Sequence, residues 1–457
     1  MTEGRIVPLL IRFALPMMLG GIFQQFYTVV DTMVVGKALG VGALAAVGAT
    51  DWFNWTVLGI LVSFPQGFAI RMAQEFGARN YEQLRKVVAH SVVLSVAGAV
   101  VVTVASQVFT LPVLHLLGTP ADILPDAVTY IRVIFCGIPV VMAYNLFACT
   151  LRSLGNARTP LVAVMVSSVT NILLDLLFVL VFRWGIAGAA FATIIAQFLS
   201  AVVCFLAIRK IPFLYAKNLL RKKIYLQPDW QLSKQLLSLS TPLALQYTLI
   251  HVGGMILQAV INGFGVLFIA GFTATNKLYG MLEIAASSYG SAMMTFAGQN
   301  LGARNLKRIK QGHRYSNLIG IVTSVVISVI MLSFGKTILG LFISGTPEQV
   351  EETLAIAYRY LSILSAALPT LYLLYVTRSC VQGLGNTVLP MVSGFAECVM
   401  RLMAALILPM YIGEFGIFLA EPFAWIGADV ILISSYFITM KKTRRMLEKE
   451  EEKEVFQ

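Results

Sequence analysis

Apolar residues fall in twelve long blocks separated by short polar or basic segments. The blocks lie at approximately 11–35, 43–70, 87–110, 127–151, 160–182, 186–208, 236–262, 267–296, 315–335, 355–381, 388–411 and 416–440. Each is long enough to cross a hydrocarbon layer roughly 30 Å thick at about 1.5 Å per residue. With no water inside the bilayer, each must satisfy its own backbone groups, so each is read as a helix. The pattern predicts an all-α polytopic membrane protein with twelve transmembrane helices. The first block is too long for a signal-peptide apolar region and has no small-residue cleavage site, so it is expected to stay as a span.

Composition agrees. The chain has 457 residues, 58% hydrophobic and 12% charged, with mean hydropathy +0.81. A soluble domain is typically about 45–50% apolar and roughly 25% charged. The net charge of +12 reads as topology, because the basic residues are one-sided. With the amino terminus in the cytoplasm, 27 of them fall in cytoplasmic segments, including seven over 209–234, five over 304–314, Arg378 and six in the tail. The other side holds Lys37, Arg183 and Lys336, or five residues with the span-edge Arg132 and Arg359. That asymmetry places both termini in the cytoplasm of a cell-membrane protein and argues against nucleic acid as a partner. The five cysteines all fall inside spans and read as small apolar residues, with no disulfide framework or metal cluster.

The chain also repeats itself. "AQEFGARNYEQLRK" at 73–86 answers "GQNLGARNLKRIKQ" at 298–311, and "LGNARTP" at 154–160 answers "LGNTVLP" at 384–390. "GTP" recurs at 118–120 and 345–347, and Pro16 in the first span answers Pro242 in the seventh. The expected domains are a six-helix lobe at 1–208, a basic cytoplasmic linker at 209–235, a second six-helix lobe at 236–440 and a charged tail at 441–457, helical near the membrane. Six spans is even, so the repeats are parallel, enclosing a cleft that rocking of the halves opens to either side. A channel is the competing architecture, but two lobes in one chain suit alternating access better.

Charges within spans are expensive and mark pathways or partners. Here they are Asp31, Asp51, Asp175, Glu283, Glu397, Glu421 and Asp429, against Lys277 and Arg401. In "TNILLDLLF", Asn171 and Asp175 are four apart, so they share one helix face a turn from each other. An amide oxygen beside a carboxylate suits a hard cation or a proton. If Asp31 converges on them, the like charges favour a shared proton or a bridging cation. The bland alternative is that Asp175 only hydrogen-bonds Asn171 or another helix. Glu397 and Arg401, also four apart, read as a structural ion pair. Glu283 could line the cleft. Asp51 precedes the aromatic cluster "WFNW" and corresponds in the repeat to Asn276, a shared polar position that an interfacial aromatic belt explains nearly as well. His251 reads as a helix-contact residue, and Glu421 and Asp429 stay unassigned.

"VVDTMVVG" in span one, "LGARN" after spans two and eight, and "LRSLGNARTP" and "VQGLGNTVLP" after spans four and ten resemble the multidrug and toxic compound extrusion (MATE) family, in its DinF-like prokaryotic branch. The resemblance covers about 8–440. It implies a V-shaped molecule of two parallel-repeat bundles with a central cleft, exporting lipophilic, often cationic compounds in exchange for an inward cation. Asp31, Asn171 and Asp175 are similar to that branch's amino-lobe acidic site for H⁺ or Na⁺, and Thr193 matches a supporting hydroxyl. The NorM-like branch would carry acids in spans seven and ten. Here span seven has Gln246 instead and span ten has no acid, which shifts coupling onto Asp31 and Asp175.

The resulting expectation is an antiporter, not an enzyme, with no cofactor beyond H⁺ or Na⁺, working as a monomer in the bilayer. Pro16, lacking a backbone donor, and the weakly packing Gly20 and Gly21 allow span one to bend. Methionines and aromatics suit lipophilic cations. Candidate cleft residues are Gln24, Tyr27, Met33, Asp51, Tyr144, Asn145, Tyr279, Glu283, Met293 and Met294, each also explicable as ordinary helix packing. A flippase for lipid-linked sugars would call for a cationic cavity, whereas the charges within these spans are mostly acidic. No metalloprotease or serine-hydrolase motif occurs, and "FGKT" at 334–337 lacks the first P-loop glycine.

Overall fold

The computed structural model describes residues 1–214, 227, 229–343 and 346–455, apart from the side chains of Val41 and 453–455. The expected linker lies partly outside the described residues (215–226 and 228), as do Gly345 of the second "GTP" and the last two residues of the tail. Among the described residues every regular element is helical. In chain order they are α1 (Ile6–Leu39), α2 (Val41–Gly77), α3 (Tyr81–Leu116), α4 (Leu124–Cys136), α5 (Ile138–Ser153), α6 (Arg158–Asp175), α7 (Gly185–Arg209), α8 (Trp230–Ile261), α9 (Val266–Gly302), α10 (Leu306–Gly340), α11 (Pro347–Gly383), α12 (Val388–Ile407), the single turns α13 (Pro409–Ile412) and α14 (Phe415–Phe418), and α15 (Ala420–Val455). Each expected block falls on one helix or on a pair joined end to end. Ten helices are long and apolar enough to cross a bilayer, or eleven with the α4–α5 pair, which bends by 45°. The bend falls where Pro139 removes a backbone donor. The remaining block, α9, is interrupted by Asn276, Lys277 and Glu283, so its 37 residues supply the length but not the hydropathy. The tail continues α15 without a break.

The chain divides into two compact units. The first is Leu15–Ala244, and the second is Met1–Ala14 together with Leu245–Gln457. The start of α1 belongs with the second unit, and the start of α8 with the first. Both changeovers occur inside continuous helices, within two residues of Pro16 and Pro242. In the first unit α8 is seated by close approach: a Cβ on Gly67 of α2 would lie 2.6 Å from Ser240 Cα, and Ser240 Oγ donates to the Phe64 carbonyl at 3.2 Å.

The duplication is written into the turns. Arg79 and Arg304, in the repeated "GARN", both take left-handed backbone with φ of 57° and 56°. Asn80 and Asn305 then cap α3 and α10, each side-chain oxygen accepting the amide three residues on. Gly155 and Gly385 pair likewise, at φ 88° and 85°.

Candidate functional site: buried carboxylates of the two units

The first unit brings together Asp31 from α1, Asn171 and Asp175 from α6 and Thr193 from α7. Asn171 and Asp175 are fully buried. Asn171 Nδ2 donates to Thr193 Oγ1 at 3.4 Å, and Thr193 Oγ1 donates to the Ala189 carbonyl at 3.2 Å. The side chains of Asp31 and Asp175 come within hydrogen-bonding reach of each other, the convergence that helix spacing by itself left open. Regular α-helix stops at Asp175 and continues as a π-helical stretch over Leu176–Val181, a local widening common at functional positions.

As bare carboxylates, Asp31 and Asp175 have no hydrogen to give one another. Asp31 Oδ1, Asn171 Oδ1 and both oxygens of Asp175 are buried without a donor. The cluster is therefore acceptor-rich, and a proton or a small hard cation would satisfy it. Among the described residues no group of three or more His, Cys, Asp or Glu could hold a metal ion. The oxygens on offer are those of two carboxylates, one amide and one hydroxyl. Tyr27, one turn before Asp31, lies within hydrogen-bonding reach of Gln197 on α7. Gln197 and the buried Tyr130 of α4, electrostatically close to Asp31 and Asp175, were not singled out from sequence. Gln197 could have been, since it stands one helical turn after Thr193. Met33 helps to line an apolar cavity of about 350 Å³ with Val30, Val34, Leu176 and Leu180, next along both helices from the acids, with Lys37 at its edge.

The other cleft candidates divide. Gln24 and Asp51 are exposed, and Tyr144 is buried. Asn145 spends its amide on the Val141 carbonyl of its own helix at 2.9 Å. Met293 is fully buried, and its sulfur accepts from Ser316 Oγ at 3.4 Å. Met294 is half-buried. Tyr279 stacks on Trp425 at 5.8 Å. Glu283 accepts a hydrogen bond from the Tyr375 hydroxyl.

The second unit holds a larger buried polar network. Glu397 and Arg401 pair at 3.1 Å as their spacing implies, but two further partners join them. Arg378 Nη2 lies 2.6 Å from Glu397 Oε2, and Arg401 Nε lies 2.9 Å from Glu421 Oε1. Arg378, which the basic count assigns to a cytoplasmic segment, is buried in this ion pair. Gln246, where the NorM-like pattern has an acid, accepts from Arg378 Nε and Nη1 at 3.1 and 3.3 Å when its amide oxygen is turned toward them.

Duplicated helical units with carboxylates buried inside their spans define the class: a polytopic membrane transporter fold. The chain belongs to the MATE family, whose MatE model matches residues 16–177 and 242–407, starting at each of the two paired prolines. It is 29% identical over 448 residues to the probable multidrug resistance protein YoeA of Bacillus subtilis, covering 95% of this chain and 94% of that one. It is 30% identical over 387 residues to YpnP of the same organism, also a probable multidrug resistance protein, covering 84% of each. A crystal structure of MATE in complex with MaL6 superposes with a TM-score of 0.88 at 20% identity, over 98% of both chains.

Proposed function

We propose that this protein is a cell-membrane antiporter that exports lipophilic, often cationic small molecules in exchange for H⁺ or Na⁺, with both termini in the cytoplasm. One observation carries the coupling role: Asp31, Asn171 and Asp175 form a buried cluster of oxygens with too few donors, which a proton or monovalent cation would complete. Filling that seat removes the repulsion between Asp31 on α1 and Asp175 on α6. Emptying it restores the repulsion, so occupancy biases how α1 packs. Pro16 gives α1 a place to bend, next to the point where the helix changes unit. The family and its multidrug relatives support the substrate class.

The test is exchange of a fluorescent organic cation in proteoliposomes under separately imposed pH and sodium gradients. Asp31→Asn and Asp175→Asn should each abolish gradient-driven efflux while substrate still binds. Efflux at the wild-type rate in both variants would reject the coupling role, and the gradient that drives the wild type identifies the ion.

A further inference from the structure

In the second unit, six buried or half-buried ionisable groups meet: Arg378 on α11, Glu397 and Arg401 on α12, Glu421 and Asp429 on α15, and Glu283 on α9. Their bonds can be assigned one by one. Arg378 uses Nη2 on Glu397, and its Nε and Nη1 meet the Gln246 oxygen once that amide is turned toward them. Arg401 spans Glu397 and Glu421, and its Nη1 donates to the Ile250 carbonyl at 3.4 Å. Glu283 has the Tyr375 hydroxyl. Two guanidiniums are thus matched by two carboxylates, and a third carboxylate has a donor. Asp429 is left over. It is 5% exposed, and both of its oxygens are buried without a hydrogen-bond partner. The charges that act on it are Arg378, which attracts it but is already committed, and Glu397, which repels it.

We propose that Asp429 is a second proton-binding site, in the unit that does not contain Asp31 and Asp175, held as the neutral acid beside the Arg378–Glu397 pair. An ionised Asp429 would be a buried anion with no hydrogen bond to either oxygen, whereas the acid gains a hydrogen it can give to a neighbouring oxygen. Loss of that proton adds a negative charge next to Arg378 and competes with Glu397 for it. The Arg378 guanidinium can then shift toward α15, which links protonation of Asp429 to the packing of α11, α12 and α15. This role is independent of whether the first-unit acids couple transport.

The chain contains just seven aspartates, of which Asp51, Asp122, Asp126 and Asp229 are exposed. Labelling aspartate alone with ¹³C at the side-chain carboxyl therefore isolates the half-buried Asp31 and the buried Asp175 and Asp429 from the exposed ones. Infrared spectra of the full-length protein in lipid at neutral pH should show the isotope-shifted carbonyl band of protonated aspartic acid. In the Asp31→Asn/Asp175→Asn variant a labelled band equal to one carboxyl should persist, and adding Asp429→Asn should remove it. No labelled acid band in the first of these variants would overturn the proposal with Asp429 itself intact, so the outcome does not hinge on Asp429→Asn folding. A band that survives Asp429→Asn would overturn it as well. The transport test of Asp31 and Asp175 reads a different quantity, so either claim can fail alone.

Discussion

Glu397→Gln tests the buried network most sharply. The substitution keeps the side-chain shape and removes the charge that joins Arg378 at 2.6 Å and Arg401 at 3.1 Å. Arg401 retains Glu421 at 2.9 Å, so it stays compensated. Arg378 does not: its remaining strong partner is the neutral Gln246. Breaking one side of a buried ion pair costs about 3–5 kcal/mol, because a desolvated charge is stranded. That corresponds to a shift of roughly 10²–10⁴ in the folding equilibrium, at about 1.4 kcal/mol per decade. Asp429 can take over part of the load by ionising beside Arg378, so Glu397→Gln should fall at the lower end of that range. Glu397→Gln/Asp429→Asn should then show the full loss. The reverse truncation, Arg378→Met, leaves Glu397 with Arg401 and should cost less, about 1–3 kcal/mol. Because Glu397→Gln strands Arg378, the double variant Arg378→Met/Glu397→Gln should cost less than the two singles summed. The assay is detergent-micelle unfolding by SDS titration, followed by a thiol-reactive fluorophore on the four buried cysteines, Cys149, Cys204, Cys380 and Cys398. Glu397→Gln within about 0.5 kcal/mol of the parent, inside the range of ordinary surface changes, would refute the reasoning.

The remaining expectations are smaller or more local. Thr193→Val removes the hydroxyl that accepts from Asn171 and should lower the exchange rate in proteoliposomes, with Thr193→Ser restoring it. Gly67→Ala drives a methyl to within 2.6 Å of Ser240 Cα and should destabilise by about 1–3 kcal/mol. In the same helix Gly48→Ala meets nothing within 4 Å and should stabilise by about 0.5–1 kcal/mol, so similar melting of the two variants would contradict the α2–α8 contact. Asn80→Ala and Asn305→Ala each remove a helix cap and should cost about 1 kcal/mol in the same unfolding assay.

The sequence by itself determined what depends on neighbours along the chain. A bilayer demands long apolar helices, so the blocks were readable, and the offset "GARN" and "LGN" motifs revealed the duplication. The helical period alone put Asn171 beside Asp175 and Glu397 beside Arg401. What needed contacts between helices was not readable. Nothing local announces that Asp31 reaches Asp175, that Gln197 and Tyr130 stand near them, or that Arg378 is buried against Glu397. Tertiary packing decided those, because a buried carboxylate's partner is whichever donor another helix delivers, and helix order and rotation fix that. The borders of the two compact units likewise fall inside α1 and α8, beside Pro16 and Pro242, each within one continuous apolar run.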